Sequence, residues 1–269
     1  MNFEHLIIGG CYRSGTSIVT VMLAKHSQVL LTNELWNYRS LDVVNTKLQN
    51  LSNKYPYIGD NTSTIARDTL GDNFRGFLDS FDRDKITSIY DLYSRLIKFS
   101  NKYPRYCGDK VPEYILDIEN ITKIYSNSRL IVCIRDGRDV IESQIKRYKY
   151  FMDINGTVRN HWWTKRTIED CINDTGRNWL HYMNVWDITK KNLKVPYYEL
   201  FYKNLILNPE DEAERLSKFL NIEELELFKI FKSNINSDTY NSWKYTIPNI
   251  NSKLPSAWKQ MLKKYGFEV

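Results

Sequence analysis

Residues 9–17 read GGCYRSGTS and follow the apolar run Leu6-Ile7-Ile8. Gly10 and Gly15 stand at the spacing of the phosphate-cradling loop G-x-x-x-x-G-K-[ST], with Ser17 at its hydroxyl position. Thr16 occupies the lysine position, and the loop's cation is instead Arg13, inside it. Successive backbone N–H groups running into a helix N-terminus form an anion nest. Ser14, Thr16 and Ser17 add hydroxyl donors to it. Two glycines at that spacing, an arginine and three hydroxyls are more than a simple helix cap needs, so this loop is expected to hold a phosphate- or sulfate-like anion.

Three other expected strands end on chemistry-bearing side chains: Asn33-Glu34, Asp109-Lys110 and Arg135-Asp136. In an open parallel sheet, ligands sit outside the carboxyl ends of the strands. One carboxylate, Glu34, and three cations, Arg13, Lys110 and Arg135, are therefore expected along one sheet edge. A carboxylate at a strand end in a basic crevice suits a general base, with Glu113 and Asp109 as alternatives to Glu34. Asp136 or Asp109 could instead hold Mg²⁺ with a loop hydroxyl, as in ATP-using P-loop kinases. Each of those aspartates adjoins a cation, which better suits cations facing the anion directly, with no metal. The histidines stand elsewhere: His5 in a strand, His26 at a helix end, His161 and His181 in a tryptophan-rich stretch.

Those residues need a scaffold that brings strand ends together. Strands are expected over 3–8, 28–32, around 105–107, over 129–134 (RLIVCI) and within VPYYELFY at 195–202. The first and fourth are apolar almost throughout, as for parallel strands covered on both faces. Helices are expected over 14–25, through most of 41–101, over 139–148 and 150–190, and from Pro209 to Ile222, where proline opens the first turn. Strands alternating with helices predict an α/β fold with a central, mostly parallel sheet flanked by helices. The whole chain, 1–269, reads as one domain, with 41–104 and 150–190 as helical elaborations.

At 269 residues and 42% hydrophobic content, the chain can bury one sizeable core. No apolar run is long enough to span a bilayer, and no signal-type stretch opens the chain, so a cytoplasmic protein without stable membrane insertion is expected. Cys11, Cys107, Cys133 and Cys171 form no C-x-x-C pair, which argues against zinc or a disulfide framework. The net charge of +6 fits nucleic acid or a small polyanion equally. The densest basic cluster, Lys146-Arg147-Tyr148-Lys149, lacks a nucleic-acid-binding context and reads as a solvated helix face.

YRSGTS followed by RLIVCIRDGRDVIESQIKRY resembles the PAPS-dependent sulfotransferases, which have a P-loop kinase-like fold. The resemblance implies that the 9–17 loop (Arg13, Ser14, Gly15, Thr16, Ser17) grips the 5′ side of PAPS. It implies also that Arg135 and Ser143 grip the 3′-phosphate. YKNLILNP resembles the family's Y-E-D-L-x-x-N/D-P segment, which places Tyr202 near the donor nucleotide; Lys203-Asn204 replaces the acidic pair. The segment Ser242–Lys244 matches the family's C-terminal region more weakly. The histidine of the cytosolic small-molecule enzymes is absent, since Lys110-Val111-Pro112 stands in its place. The run from Arg13 to Glu34 is similar to tyrosylprotein and some bacterial carbohydrate sulfotransferases, which implies Glu34 as base; Arg13 and Lys110 are expected to stabilise the bridging oxygen as it leaves.

The resemblance favours a carbohydrate or other small hydroxylated acceptor. NHWWTKR at 160–166 with Trp179 and Trp186 could line its pocket, or simply pack helices together. The alternatives are a kinase using ATP and Mg²⁺, and a non-catalytic anion- or nucleic-acid-binding module.

Overall fold

The computed structural model describes residues 3–54, 70, 73–154, 167–235 and 240–268. Five strands form one parallel sheet: β1 (Glu4–Gly10), β2 (Val29–Asn33), β3 (Tyr106–Lys110), β4 (Ser128–Ile134) and β5 (Tyr197–Phe201). They lie in the order β2-β3-β1-β4-β5. The chain leaves β3 on one side of β1 and re-enters as β4 on the other. That reversal opens a crevice at the carboxyl end of β1, where ligands of such sheets bind.

The pleat sorts side chains to two apolar layers. Ile7, Leu130, Val132 and Ile134 enter one core, and Leu6, Ile8, Ile131 and Cys133 enter the other. The second core is closed by α1 (Thr16–Lys25), α9 (Pro209–Leu220) and α10 (Glu224–Asn234) through Val19, Leu23, Leu216 and Phe231. Of the helices between, α2 (Leu41–Lys54), α3 (Phe74–Arg83), α4 (Ile89–Ser100), α5 (Ile118–Ile124), α6 (Gly137–Ile154) and α7 (Ile168–Thr189) contribute to the first core, while α8 (Tyr202–Leu207) adds Leu205 and Ile206 to the second. Leu92, Ile145 and the wholly buried Trp179 and Trp186 supply much of the first.

Several elements run further than their periodicity indicates. β1 includes both glycines, and β3 extends to Lys110. In β3 the allowance is steric: a Cβ on Gly108 would lie 1.8 Å from the Leu6 carbonyl oxygen. α1 starts only at Thr16, because Gly15 ahead of it is left-handed at φ 95°. α6 begins at Gly137 and continues to Ile154, past the expected end at 148. Helix covers part of 41–101 as α2, α3 and α4, and residues 168–189 of the tryptophan-rich stretch as α7. Residues 155–166, which include the NHWWTKR motif, lie outside the described residues.

All four cysteines are free and buried. Among the described residues, no helix is long and apolar enough to cross a membrane.

His5 on β1 is 2% exposed and meets Phe3, Tyr38, Tyr90 and Tyr125 edge-on at ring-centroid distances of 5.1–5.7 Å. Burial lowers its pKa from 6.5 to about 4. The unfolded chain then takes up a proton at 6.5 that the native state refuses until about 4. Stability contributed by neutral His5 is complete above pH 6.5 and is lost as pH falls towards 4, by up to about 3 kcal/mol. Chemical denaturation at a series of pH values should show His5→Phe losing less stability than wild type across that window. Equal losses would contradict the assignment.

Candidate active site

The loop after β1 is built around two left-handed residues, Arg13 at φ 64° and Gly15 at φ 95°. Ser14 N–H donates to the Cys11 carbonyl (3.2 Å), closing the turn. A Cβ on Gly15 would stand 2.5 Å from Tyr202 Cδ2, so the ring at the start of α8 rests directly on the loop. The Arg135 guanidinium lies 4.4 Å from the centre of that same ring. Ser14 Oγ is buried and has no hydrogen-bond partner among the described residues. Thr16 is buried as well, whereas Ser17 is exposed.

Arg13 reaches across to α6, where its Nε donates to Ser143 Oγ at 3.1 Å. Arg135, just past β4, donates from Nη1 to the Arg13 carbonyl at 3.1 Å. The backbone of Arg135 is fixed in turn by the buried Trp179, whose Nε1 donates to its carbonyl at 3.0 Å. Trp179 is thus core packing that sets a site residue, and Trp186 donates to Glu199; the two tryptophans belong to the core and not to an acceptor pocket.

Burial, and then the charges of Arg147 and Arg135, hold the Arg13 pKa below its ordinary value. Arg147 is exposed on α6, as expected of a solvated helix face, yet its charge reaches Arg13. One helical turn after Ser143, position 147 shares that side chain's face.

The Lys110 ammonium is wholly buried, at 2.6 Å from Glu34 Oε1 and 3.1 Å from Ser17 Oγ. The Glu34 carboxylate remains about half exposed, at 46%. Its backbone is left-handed at φ 58°, as is that of Trp36 at φ 64°. Glu34 N–H donates to the Lys110 carbonyl at 2.7 Å, and Lys47 on α2 donates to the Glu34 carbonyl. Arg39 and Lys47 both lie over the Trp36 ring, at 5.2 and 5.8 Å.

The alternative carboxylates are otherwise engaged. Asp109 is 0% exposed and receives hydrogen bonds from Thr32, Leu35, Trp36 and Tyr114. Burial raises its pKa, against the pull of those donors. It is closed to an acceptor hydroxyl. Asp136 forms a buried ion pair with Arg138 at 2.5 Å. Neither aspartate is therefore open to Mg²⁺ as the kinase alternative requires. Glu113 accepts from the Tyr12 hydroxyl at 2.9 Å. In the C-terminal segment, Ser242 Oγ donates to Glu142 and Asn241 N–H to Asp139, mooring the segment to α6. Ser242 is thus tied to α6, while Lys244 is exposed.

A parallel sheet with a glycine-bearing anion loop at its crevice, flanked by cations from two neighbouring strand ends, defines an enzyme class that handles phosphate- or sulfate-bearing groups. The model of the sulfotransferase family matches residues 5–226, and the chain belongs to that family. It is 28% identical over 225 residues to a Caenorhabditis briggsae protein provisionally named a protein-tyrosine sulfotransferase, covering 82% of this chain and 67% of the relative. Among solved structures, the sulfotransferase domain of the curacin biosynthetic pathway superposes with a TM-score of 0.64 at 18% identity, over 100% of this chain and 99% of that domain. The sulfotransferase domain of the Synechococcus PCC 7002 olefin synthase does so with 0.63 at 17%, over 100% and 96%. The fold is theirs, and the chain is a sulfotransferase.

Gly15→Ala places a Cβ where the backbone is left-handed and Tyr202 already stands. It should lower stability in chemical denaturation by about 1–3 kcal/mol and weaken the binding of pyrophosphate to the loop. Unchanged stability and binding would show that the Tyr202 contact does not shape the loop.

Proposed function

We propose that the enzyme transfers the sulfuryl group of PAPS to the hydroxyl of a carbohydrate or other small hydroxylated metabolite. The observation that carries this reading is Lys110, which bridges a hydroxyl of the anion loop and a half-exposed carboxylate. Donor and acceptor chemistry therefore meet at one ammonium. The site also fits the donor: the Ser14 hydroxyl is buried without a partner among the described residues, and Arg13 and Arg135 meet at the same loop.

PAPS supplies a sulfuryl group activated by attachment to its 5′-phosphate. The loop residues Arg13, Ser14, Gly15, Thr16 and Ser17 would orient that end. Arg135, Ser143 and Tyr202 would fix the 3′-phosphorylated nucleoside, with the charge of Arg147 added. Glu34 takes the acceptor's hydroxyl proton as the new O–S bond forms in line with the S–O bond that breaks. Lys110 and Arg13 meet the negative charge that grows on the departing phosphate oxygen. No metal is assigned a part, because cations already face the position where that charge develops.

Trp36, half-buried beside Glu34, offers a ring against which a small hydroxylated acceptor could lie. A tyrosine hydroxyl is the second reading, favoured by the name of the C. briggsae relative. A panel of sugars, phenols and tyrosine peptides, each incubated with PAPS and examined for sulfated product, separates the two. With the accepted substrate, Glu34→Gln and Lys110→Ala should each lower turnover by about 10²–10³-fold. Wild-type turnover in either variant would refute the role given to that residue.

A further inference from the structure

The turn from β2 into α2 carries a backbone that ordinary side chains avoid. Glu34 and Trp36 are both left-handed, at φ 58° and 64°. For a residue as bulky as tryptophan that conformation is a genuine outlier. Such outliers persist only where their surroundings over-determine them, and they gather at functional sites.

The over-determining group is Asp109. Its Oδ2 accepts from Trp36 N–H at 3.0 Å and its Oδ1 from Leu35 N–H at 3.4 Å. From beneath, Thr32 Oγ1 donates to Oδ1 at 2.8 Å and the Tyr114 hydroxyl to Oδ2 at 2.7 Å. All four partners donate. An ionised carboxylate, which only accepts, is the form that satisfies every one of them. Asp109 and Lys110 are consecutive in β3, so the pleat turns them to opposite faces. One strand thereby supplies both the ammonium beside Glu34 and the anchor of the turn that carries Glu34. On the outer side, Lys47 donates to the Glu34 carbonyl and stands over Trp36.

We propose that Asp109 is a positioning residue for sulfuryl transfer: its buried carboxylate holds the 33–37 turn in the strained conformation that aims Glu34 at the acceptor. The role rests on Glu34 being the base. Asp109 is wholly buried and has no free lone-pair direction left for a reacting proton. It acts through the turn and not on the substrate. Asn in its place would keep the shape but present an NH₂ to donors that need an acceptor, releasing the turn.

The test is a double-mutant cycle with PAPS and an accepted hydroxyl substrate, measuring Asp109→Asn, Glu34→Gln and both together. Asp109→Asn should lower kcat by about a hundredfold, the scale expected of an ångström's misplacement. KM for PAPS and affinity for adenosine 3′,5′-bisphosphate should stay within about twofold, since the donor loop is untouched. Adding Glu34→Gln to Asp109→Asn should cost little further, because a base already out of place has little left to lose. General loosening of the protein would leave the Glu34→Gln factor undiminished. If Asp109→Asn does not unfold cooperatively, Lys47→Met replaces it in the same cycle, with a smaller loss and the same non-additivity expected. Multiplicative losses, or wild-type kcat in the positioning variant, would overturn the proposal. Wild-type turnover in Glu34→Gln alone would defeat the base assignment itself, and the proposal with it.

Discussion

Like charges crowded at one sheet edge are the constraint around which this molecule is built. Arg13, Arg135, Arg147 and Lys110 converge at the carboxyl ends of β1, β3 and β4 and on the adjoining face of α6, with Glu34 the one half-exposed carboxylate paired among them. Two such charges a few ångströms apart near a protein surface repel by roughly 2–4 kcal/mol. Desolvation adds to that cost, and the depressed Arg13 pKa registers both. The scaffold must hold the cations there against that repulsion. Neutral contacts contribute to this, with Ser143 on Arg13, the Tyr202 ring on Arg135 and the Trp179 indole on the Arg135 carbonyl, and the Asp139 carboxylate adds an opposite charge near Arg135. A bound polyanion of the kind proposed above would offset that repulsion, so the crowding of cations and the proposed donor binding are two aspects of one arrangement.

The same economy governs the acceptor side. The buried Lys110 is tolerable because Glu34 and Ser17 satisfy its ammonium. Glu34 can stand there only because the turn beneath it is left-handed at two residues and tied to Asp109 and Lys47. Preorganisation of this kind matters for catalysis, since groups already aimed at developing charge need not reorganise during reaction.

Much of this was legible in the residues. Apolar runs marked β1 and β4 most clearly, and the side chains at the expected strand ends, Arg13, Glu34, Lys110 and Arg135, lie at one edge as the parallel topology requires. The family resemblance paired Arg135 with Ser143 near the donor loop, and in the structure Arg13 meets both. What escaped the sequence depends on long-range contacts or on backbone conformation. Asp109 looked like a spare base, because nothing local reveals that Thr32, Leu35, Trp36 and Tyr114 all donate to it. That the charge of the exposed Arg147 reaches Arg13 could not be read locally either, since its neighbour Lys146 pairs with Glu142. Trp179 was equally compatible with a pocket, and only the packing of α7 on Arg135 decides for the core. The end of β3 was missed because Gly108, Asp109 and Lys110 have low strand propensity, which the close approach to Leu6 overrides.

The central claim is that these cations and the glycine-bearing loop together hold a nucleotide phosphorylated at both the 3′ and 5′ positions. Calorimetric titration with adenosine 3′,5′-bisphosphate in the presence of chelator, with 5′-AMP alongside, addresses it directly. The account predicts tight binding of the bisphosphate that persists in chelator and collapses when the 3′-phosphate is removed. Equal affinity for the two nucleotides, or binding of neither, would contradict it.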